Sequence, residues 1–393
     1  MKLSDRILGL TDGGPDGWDL FRRARAMAEA GEDVVELTIG EHDIRTDPAI
    51  LDAMDAAARA GHTGYSAIRG TLALREAIAE RTQRITGVAT TADEVVVTAG
   101  GQAALFAAVA ATCDPGETAL YIDPFYVTYP GTIRGPGAQA RAVPARADLG
   151  FQPDPADLDA AAPGARALII NSPNNPTGVV YDRKTMDGIA AVVRAHDLWV
   201  ISDEVYDSQV WDGDHLSPRA LPGMAEHTLV VGSLSKSHAM TGSRIGWIIA
   251  PEGVAAHLDD LSTHTTYGIP GFIQDAGLFA LSQGADFERE IAAPFARRHR
   301  ATAAIFARST VIDVVPSRAT MYLMLDVRRT GLSSEDFAWA LLEDERIAVM
   351  PGESFGTAAR GHVRVALTTS DDRLADAARR IHAFAKRQAE RAA

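Results

Sequence analysis

The chain holds a single cysteine, Cys113, so no disulfide can close within it, and no Cys/His set has the spacing of a zinc site. No metal is expected, and the cysteine usage suits a reducing, cytoplasmic setting. Cys113 ends the apolar run 103–112 and reads as a small core residue. No stretch of about 18 apolar residues exists, so no membrane span is expected. The opening Met1-Lys2-Leu3-Ser4-Asp5-Arg6 lacks the apolar segment of a signal peptide. Basic residues are also in deficit. Lys and Arg number 38 against 52 Asp and Glu, a formal net charge of −14, which argues against a nucleic-acid partner. Internal repeats, low-complexity tracts and long linkers are missing as well.

What is present suits a globular protein. With 393 residues, 46% hydrophobic and 23% charged, the chain can form more than one domain and bury roughly 75% of its unfolded surface. Helical periodicity covers 18–30, 48–60, 71–86 and 101–112, with Pro48 in a first turn and Gly61 and Gly87 at stops. From residue 94 short apolar strands alternate with helices: 94–98, 119–122, 165–170, 198–201 and 228–231, then 245–249. That alternation predicts a mostly parallel α/β sheet flanked by helices, with a ligand outside the carboxyl ends of its strands. A long helix over 282–307 follows, then strands at 322–327 and 363–367 and helices at 334–344 and 371–392, a smaller α+β unit.

The polar motifs fall just after the strands. Gly232-Ser233-Leu234-Ser235-Lys236-Ser237 follows the run Thr228-Leu229-Val230-Val231, and Arg244 comes eight positions after Lys236. A lysine past a buried strand end loses hydration, its pKa falls, and it becomes a nucleophile. Serines and an arginine beside it can cradle a phosphate. An amine next to a phosphate site points to a Schiff base with a phosphorylated aldehyde, of which pyridoxal phosphate is the obvious example. A solvated loop lysine is the plain alternative for this motif taken alone.

Asn171-Ser172-Pro173-Asn174-Asn175-Pro176-Thr177-Gly178 follows another strand; two prolines and a glycine present Asn175, although an Asn-Pro turn uses the same residues. Ser202-Asp203-Glu204-Val205-Tyr206 ends the next strand. An aspartate there can face a pyridinium nitrogen and make the ring an electron sink, and Tyr206 can donate to its phenolate. A helix N-cap aspartate beside a core tyrosine gives the same pattern. Ala99-Gly100-Gly101-Gln102 turns a strand into a helix whose first N–H groups can bind phosphate. Tyr126, in Asp123-Pro124-Phe125-Tyr126, can stack on a planar cofactor or pack in the core.

In order and spacing these motifs resemble the class I/II aminotransferases, fold-type I pyridoxal-phosphate enzymes, over nearly the whole chain. The resemblance rests on Asn175-Pro176-Thr177-Gly178, Asp203-Glu204-Val205-Tyr206 and Ser233-Leu234-Ser235-Lys236 with Arg244. It implies a large domain (48–285) and a small α+β domain built from both termini (1–47 and 286–393). Lys236 would be the Schiff-base lysine, Asp203 the partner of the pyridinium nitrogen, and Asn175 and Tyr206 donors to the cofactor O3′. Tyr126 would stack on the ring. Gly100, Gly101, Gln102, Ser233, Ser235 and Arg244 would hold the phosphate, joined by Tyr65 from a second subunit of a homodimer. Arg364, in His362-Val363-Arg364-Val365, would grip the substrate carboxylate, and the backbone of Gly40 would touch the same group. Two positions depart from the common family form. His42 stands where proline is usual, and Ser243 where tryptophan is frequent; both are expected to reshape the substrate side of the pocket.

The implied activity is ping-pong transfer of an amino group from an L-amino acid to a 2-oxo acid. Tyr126-Val127-Thr128-Tyr129, Ala195-His196-Asp197-Leu198-Trp199, Leu221-Pro222-Gly223-Met224-Ala225, the run 233–242 and Phe272-Ile273-Gln274-Asp275-Ala276 are similar to arginine–pyruvate transaminases. That implies a basic or neutral donor and pyruvate as acceptor. A basic donor asks for a carboxylate, for which Glu41 and Asp43 are candidates. An aspartate-type enzyme using 2-oxoglutarate would ask for a cation, for which Arg69 is a candidate, and a lyase would share the cofactor set. A transcription regulator of related fold would need a DNA-binding module ahead of Gly40, where there is no room.

Overall fold

A computed structural model describes residues 1–11 and 17–392. Its strands are β1 (Val35–Leu37), β2 (Val95–Ala99), β3 (Thr118–Asp123), β4 (Gln139–Pro144), β5 (Ala165–Asn171), β6 (Trp199–Asp203), β7 (Thr228–Ser233), β8 (Ile245–Ile249), β9 (Asp313–Val314), β10 (Tyr322–Asp326), β11 (Ile347–Pro351) and β12 (His362–Ala366). They form a seven-stranded sheet in the order β2-β8-β7-β6-β5-β3-β4 and a five-stranded sheet in the order β1-β11-β12-β10-β9.

In the larger sheet β4, β3, β5, β6 and β7 pair in parallel, and β8 runs antiparallel between β7 and β2. Strands β3 and β7 are buried along their whole length, as parallel architecture covered by helices on both faces requires, and so is antiparallel β8. The architecture is the mostly parallel α/β sheet expected from the alternation of strands and helices. Edge strand β4 was not expected. Its Gln139, Arg141 and Ala142 are exposed or half-exposed, so it has no continuous apolar run to betray it. Strand β11 was not expected either, because Ile347-Ala348-Val349-Met350 is too short an apolar run to separate strand from helix.

The smaller sheet draws on both ends of the chain, because β1 pairs in parallel with β11. It faces its own apolar core with helices Trp18–Glu29, Ser334–Glu345 and Asp371–Ala392, whose buried residues include Leu20, Phe337, Leu341 and Phe384. The helix Gly284–Phe306 links the two halves, starting two residues later than the periodicity suggests because Gly284 adopts φ +75°. Helix Pro48–Arg59 begins as expected, with Asp47 Oδ1 accepting from Ala49 N at 2.8 Å.

The strand ends set the location of the site. Ala99, Asp123, Asn171, Asp203 and Ser233 all lie at the carboxyl ends of β2, β3, β5, β6 and β7. Residues far apart in the chain are thereby delivered to one edge of one sheet.

Candidate active site

A cavity of about 320 Å³ opens at that edge. Its lining includes Gly40, Gly101, Gln102, Tyr126, Asn175, Asp203, Tyr206, Ser233, Ser235, Lys236, Arg244 and Arg364, so nearly every motif residue meets there. Gly100 lies directly behind the wall: a Cβ on it would stand 2.3 Å from Arg244 Nη2. Tyr65 is elsewhere, 92% exposed and edge-on to Tyr267.

Lys236 sits in the one-turn helix Leu234–Ser237 that follows β7. Its Nζ donates to the carbonyl of Gly40, which joins the two halves of the molecule at the reactive amine. Desolvation pushes its pKa down to about 8, with the nearby guanidinium groups of Arg364 and Arg244 adding to the fall and Glu41 opposing it. A lysine so perturbed is a nucleophile close to neutral pH.

Asp203 ends β6 and is buried. Tyr129 Oη donates to its Oδ2 at 2.7 Å, and Val205 N to its Oδ1 at 3.3 Å. Burial raises its pKa to about 6 against the lowering effect of these hydrogen bonds. With no cation in contact among the described residues, this carboxylate is suited to a protonated ring nitrogen. Sequence reasoning missed Tyr129. Its only signal was a second tyrosine three residues after Tyr126, where it opens the short helix Tyr129–Arg134.

The serine-rich loop and the glycine turn face each other. Ser235 N donates to Ser233 Oγ at 3.0 Å, and Ser233 Oγ donates to Ile245 O at 3.0 Å. Arg244 holds a left-handed backbone (φ +53°) with Nη1 donating to Thr241 O at 2.8 Å. The helix Gly101–Thr112 opens its N-terminus into this space. Gln102 contributes its backbone there, because its side chain is engaged with Thr128 and Thr132 at 2.9 and 2.7 Å. Unsatisfied N–H groups, two hydroxyls and a guanidinium make a fitting cradle for a phosphate dianion.

Arg364 projects from β12, 5% exposed. Its guanidinium lies between the rings of Tyr322 and Phe355, with centroids at 4.3 and 4.5 Å. Nη1 donates to Asn175 Oδ1 at 2.8 Å and Nη2 to the carbonyl of Thr38, while Nε has no partner. No carboxylate meets it among the described residues, and desolvation lowers its pKa. A buried cation with an unused donor calls for an anion from outside. Because Asn175 Oδ1 accepts from Arg364, the Asn175 amide N–H groups are left to donate to a ligand. Tyr206 Oη shares a hydrogen bond of 2.9 Å with Tyr322 Oη. Tyr322 also explains Gly40: a Cβ there would stand 1.8 Å from Tyr322 Oη.

The remaining candidates separate cleanly. Glu41 lines the cavity together with Trp18 and Phe21. Asp43 does not; it forms a bidentate pair with Arg298 at 2.7 and 2.8 Å. Arg69 points away, donating to the carbonyls of Asp93 and Val95. His42 and Ser243 are not among the residues that line the cavity. His42 instead packs edge-on against Phe295 at 5.1 Å.

The comparisons agree with this geometry. The family model for aminotransferase class I and II matches residues 32–381. The chain is 40% identical to the arginine–pyruvate transaminase AruH of Pseudomonas aeruginosa over 382 residues, 97% of each chain. It is 35% identical to the aspartate/prephenate aminotransferase of Thermus thermophilus, covering 91% of this chain and 93% of that one. Among solved structures, a Thermus thermophilus aspartate aminotransferase double mutant superposes with a TM-score of 0.91 at 33% identity, covering 98% of this chain and all of that one. The aromatic aminotransferase of Pyrococcus horikoshii gives 0.87 at 32%, covering 93% and 99%. Taken with an activated lysine, a buried unpaired carboxylate and a phosphate cradle at one sheet edge, these likenesses show that the chain belongs to the class I and II aminotransferases and is a pyridoxal-phosphate-dependent transaminase.

Proposed function

We propose that the enzyme takes the amino group from a basic L-amino acid, with arginine as the leading donor, and passes it to a small 2-oxo acid such as pyruvate. The observation that carries this reading is the charge inventory of the cavity. Among the described residues that line it, the cations are Lys236, Arg244 and Arg364, and the carboxylates are Asp203 and Glu41. Lysine, phosphate site and carboxylate grip use all three cations. None remains for the side-chain carboxylate of an aspartate-type donor, and Arg69 is tied to backbone carbonyls. Glu41 is the carboxylate left for a cationic side chain, with Trp18 and Phe21 beside it for the aliphatic stem. The likeness to arginine–pyruvate transaminase AruH supports the same choice.

In this reading pyridoxal phosphate supplies the electron sink and carries the amino group between the two half-reactions. Lys236 Nζ anchors the cofactor and moves the proton at Cα of the donor. Asp203 holds the ring nitrogen protonated, with Tyr129 keeping the carboxylate oriented. Asn175 and Tyr206 would donate to the ring oxygen, and Tyr126 would hold the ring face. Ser233, Ser235, Arg244 and the N–H groups at Gly100, Gly101 and Gln102 hold the phosphate. Arg364 takes the α-carboxylate as a two-pronged donor, beside the Gly40 backbone. The exposure of Tyr65 supports its reaching the phosphate as Tyr65 of the partner subunit in a cytoplasmic homodimer. The pairing of β1 with β11 supports a division into residues 1–47 and 286–393 around a large domain at 48–285.

The test is a half-reaction panel on the cofactor-loaded enzyme, following the cofactor absorbance after mixing with single amino acids. Arginine and lysine should react at least ten-fold faster than aspartate, and Glu41→Gln should erase that advantage while sparing neutral donors. Preference for aspartate would reject the donor assignment; ammonia release without an acceptor would indicate a lyase.

A further inference from the structure

Asp123 is a buried carboxylate that the reaction does not use. It ends β3, 2% exposed, and its side chain reaches across to the segment that follows β11. Thr357 N and Thr357 Oγ1 each donate to Oδ2 at 2.9 Å, and Ala358 N donates at 3.2 Å. No lysine or arginine touches it among the described residues. The approach is close enough that Gly356 (φ +113°) would place a Cβ 2.1 Å from Oδ1. A second stitch runs alongside, from Phe125 N to Phe355 O at 3.0 Å.

Both ends of this junction lead into the site. On one side the chain continues from Asp123 through Phe125 to Tyr126. On the other, Phe355 stacks on the guanidinium of Arg364 at 4.5 Å. Three donors on one buried carboxylate make a strong, directional tie, and it joins the larger sheet to the ring that fixes Arg364. We propose that Asp123 is a positioning residue for the substrate carboxylate: by holding residues 355–358 it sets Phe355 over Arg364 and so aims the guanidinium at the ligand. The inference rests on Arg364 gripping the α-carboxylate. A purely structural stitch would alter stability without selecting for carboxylate binding.

The experiment compares Asp123→Asn, Thr357→Val, Thr357→Ser and Arg364→Lys, each as the cofactor-loaded enzyme. The readouts are kcat, KM for the amino donor, and Ki for propionate as an unreactive carboxylate. Asp123→Asn presents an amide N–H to donors, so KM and Ki should rise together, by at least roughly ten-fold, as loss of a charge-assisted hydrogen bond predicts. The kcat value should stay within about three-fold at saturating donor. Thr357→Val should raise both constants by a smaller factor, and Thr357→Ser, which keeps the hydroxyl, should restore them. A fall in kcat with KM and Ki unmoved overturns the proposal, as does no change at all. If Asp123→Asn fails to fold, Thr357→Val against Thr357→Ser decides on the same criterion. An Arg364→Lys variant with unaltered KM and Ki would instead reject the carboxylate grip itself.

Discussion

Replacing Arg364 by methionine separates what this residue does for binding from what it does for folding. The guanidinium is buried between Tyr322 and Phe355 without a carboxylate, so its hydration loss is only partly offset by two hydrogen bonds. Swapping a buried ionic group for an apolar one of similar volume often stabilises by about 1–4 kcal/mol. Against this, Asn175 Oδ1 and the Thr38 carbonyl lose their donor, at a cost of about 1–3 kcal/mol each. The two effects are of similar size, so the melting temperature should move by no more than a few degrees in either direction. Binding has no such compensation. Truncating one partner of a buried, hydrogen-bonded charge pair costs about 2–5 kcal/mol. With a substrate carboxylate as the other partner, kcat/KM should fall by roughly 30-fold to 4,000-fold, at about 1.4 kcal/mol per factor of ten. The assay is steady-state kinetics with the amino donor, beside a thermal melt of the same preparation. A loss of less than ten-fold would refute the carboxylate grip. A large drop in melting temperature accompanying the lost activity would show that Arg364 is chiefly structural.

Lys236→Ala should abolish transamination while the chain still folds, checked by turnover and circular dichroism; retained turnover sinks the assignment. In cofactor-free protein Lys236 should react with an amine-selective acylating reagent at half-maximal rate near pH 8, because burial has lowered its pKa from 10.5. The same shift means the unfolded chain binds the extra proton between those values, so this group's contribution to stability should rise with pH across that window. Tyr129→Phe removes a hydrogen bond that favours ionised Asp203. The acid limb of the kcat/KM profile should therefore move to higher pH, and an unchanged profile would show that Tyr129 does not act through Asp203. Arg81→Met should be far more destabilising than Arg364→Met. Arg81 is paired with Asp207 at 2.7 Å and Glu288 at 2.8 Å; its loss strands buried Asp207 and leaves Glu288 only the half-exposed Arg84 at 3.5 Å, at a cost of about 3–5 kcal/mol, readable by denaturant titration.

Much of this protein is legible in local sequence because the decisive chemistry sits immediately after apolar strands. Lys236, Asp203 and Asn175 each follow a run that packing between helices requires to be hydrophobic, so the polar residue that breaks the run stands out. The glycine turn at Gly100 and the proline-bounded loop around Asn175 announce themselves for backbone reasons. Arg364 was reached through the family resemblance, since an arginine in a strand has no local mark of burial. Tyr129 and Tyr322 escaped notice because a buried tyrosine looks like any core aromatic until its hydroxyl is given a partner.

The sequence by itself therefore determined the sheet class, a property of short segments with a fixed period, and, through the order and spacing of its motifs, the family and with it the cofactor. Tertiary structure alone decided which charges are free. Asp43 and Glu41 stand two residues apart, yet Asp43 is spent on Arg298 and Glu41 faces the cavity. Arg69 turns to backbone carbonyls, and Arg364, brought from near the other end of the chain, meets no counter-ion among the described residues. Pairing of this kind depends on contacts between residues hundreds of positions apart, such as Asp43 with Arg298 and Asp123 with Thr357. No local pattern encodes those contacts; they arise only when both sheets have closed on one another.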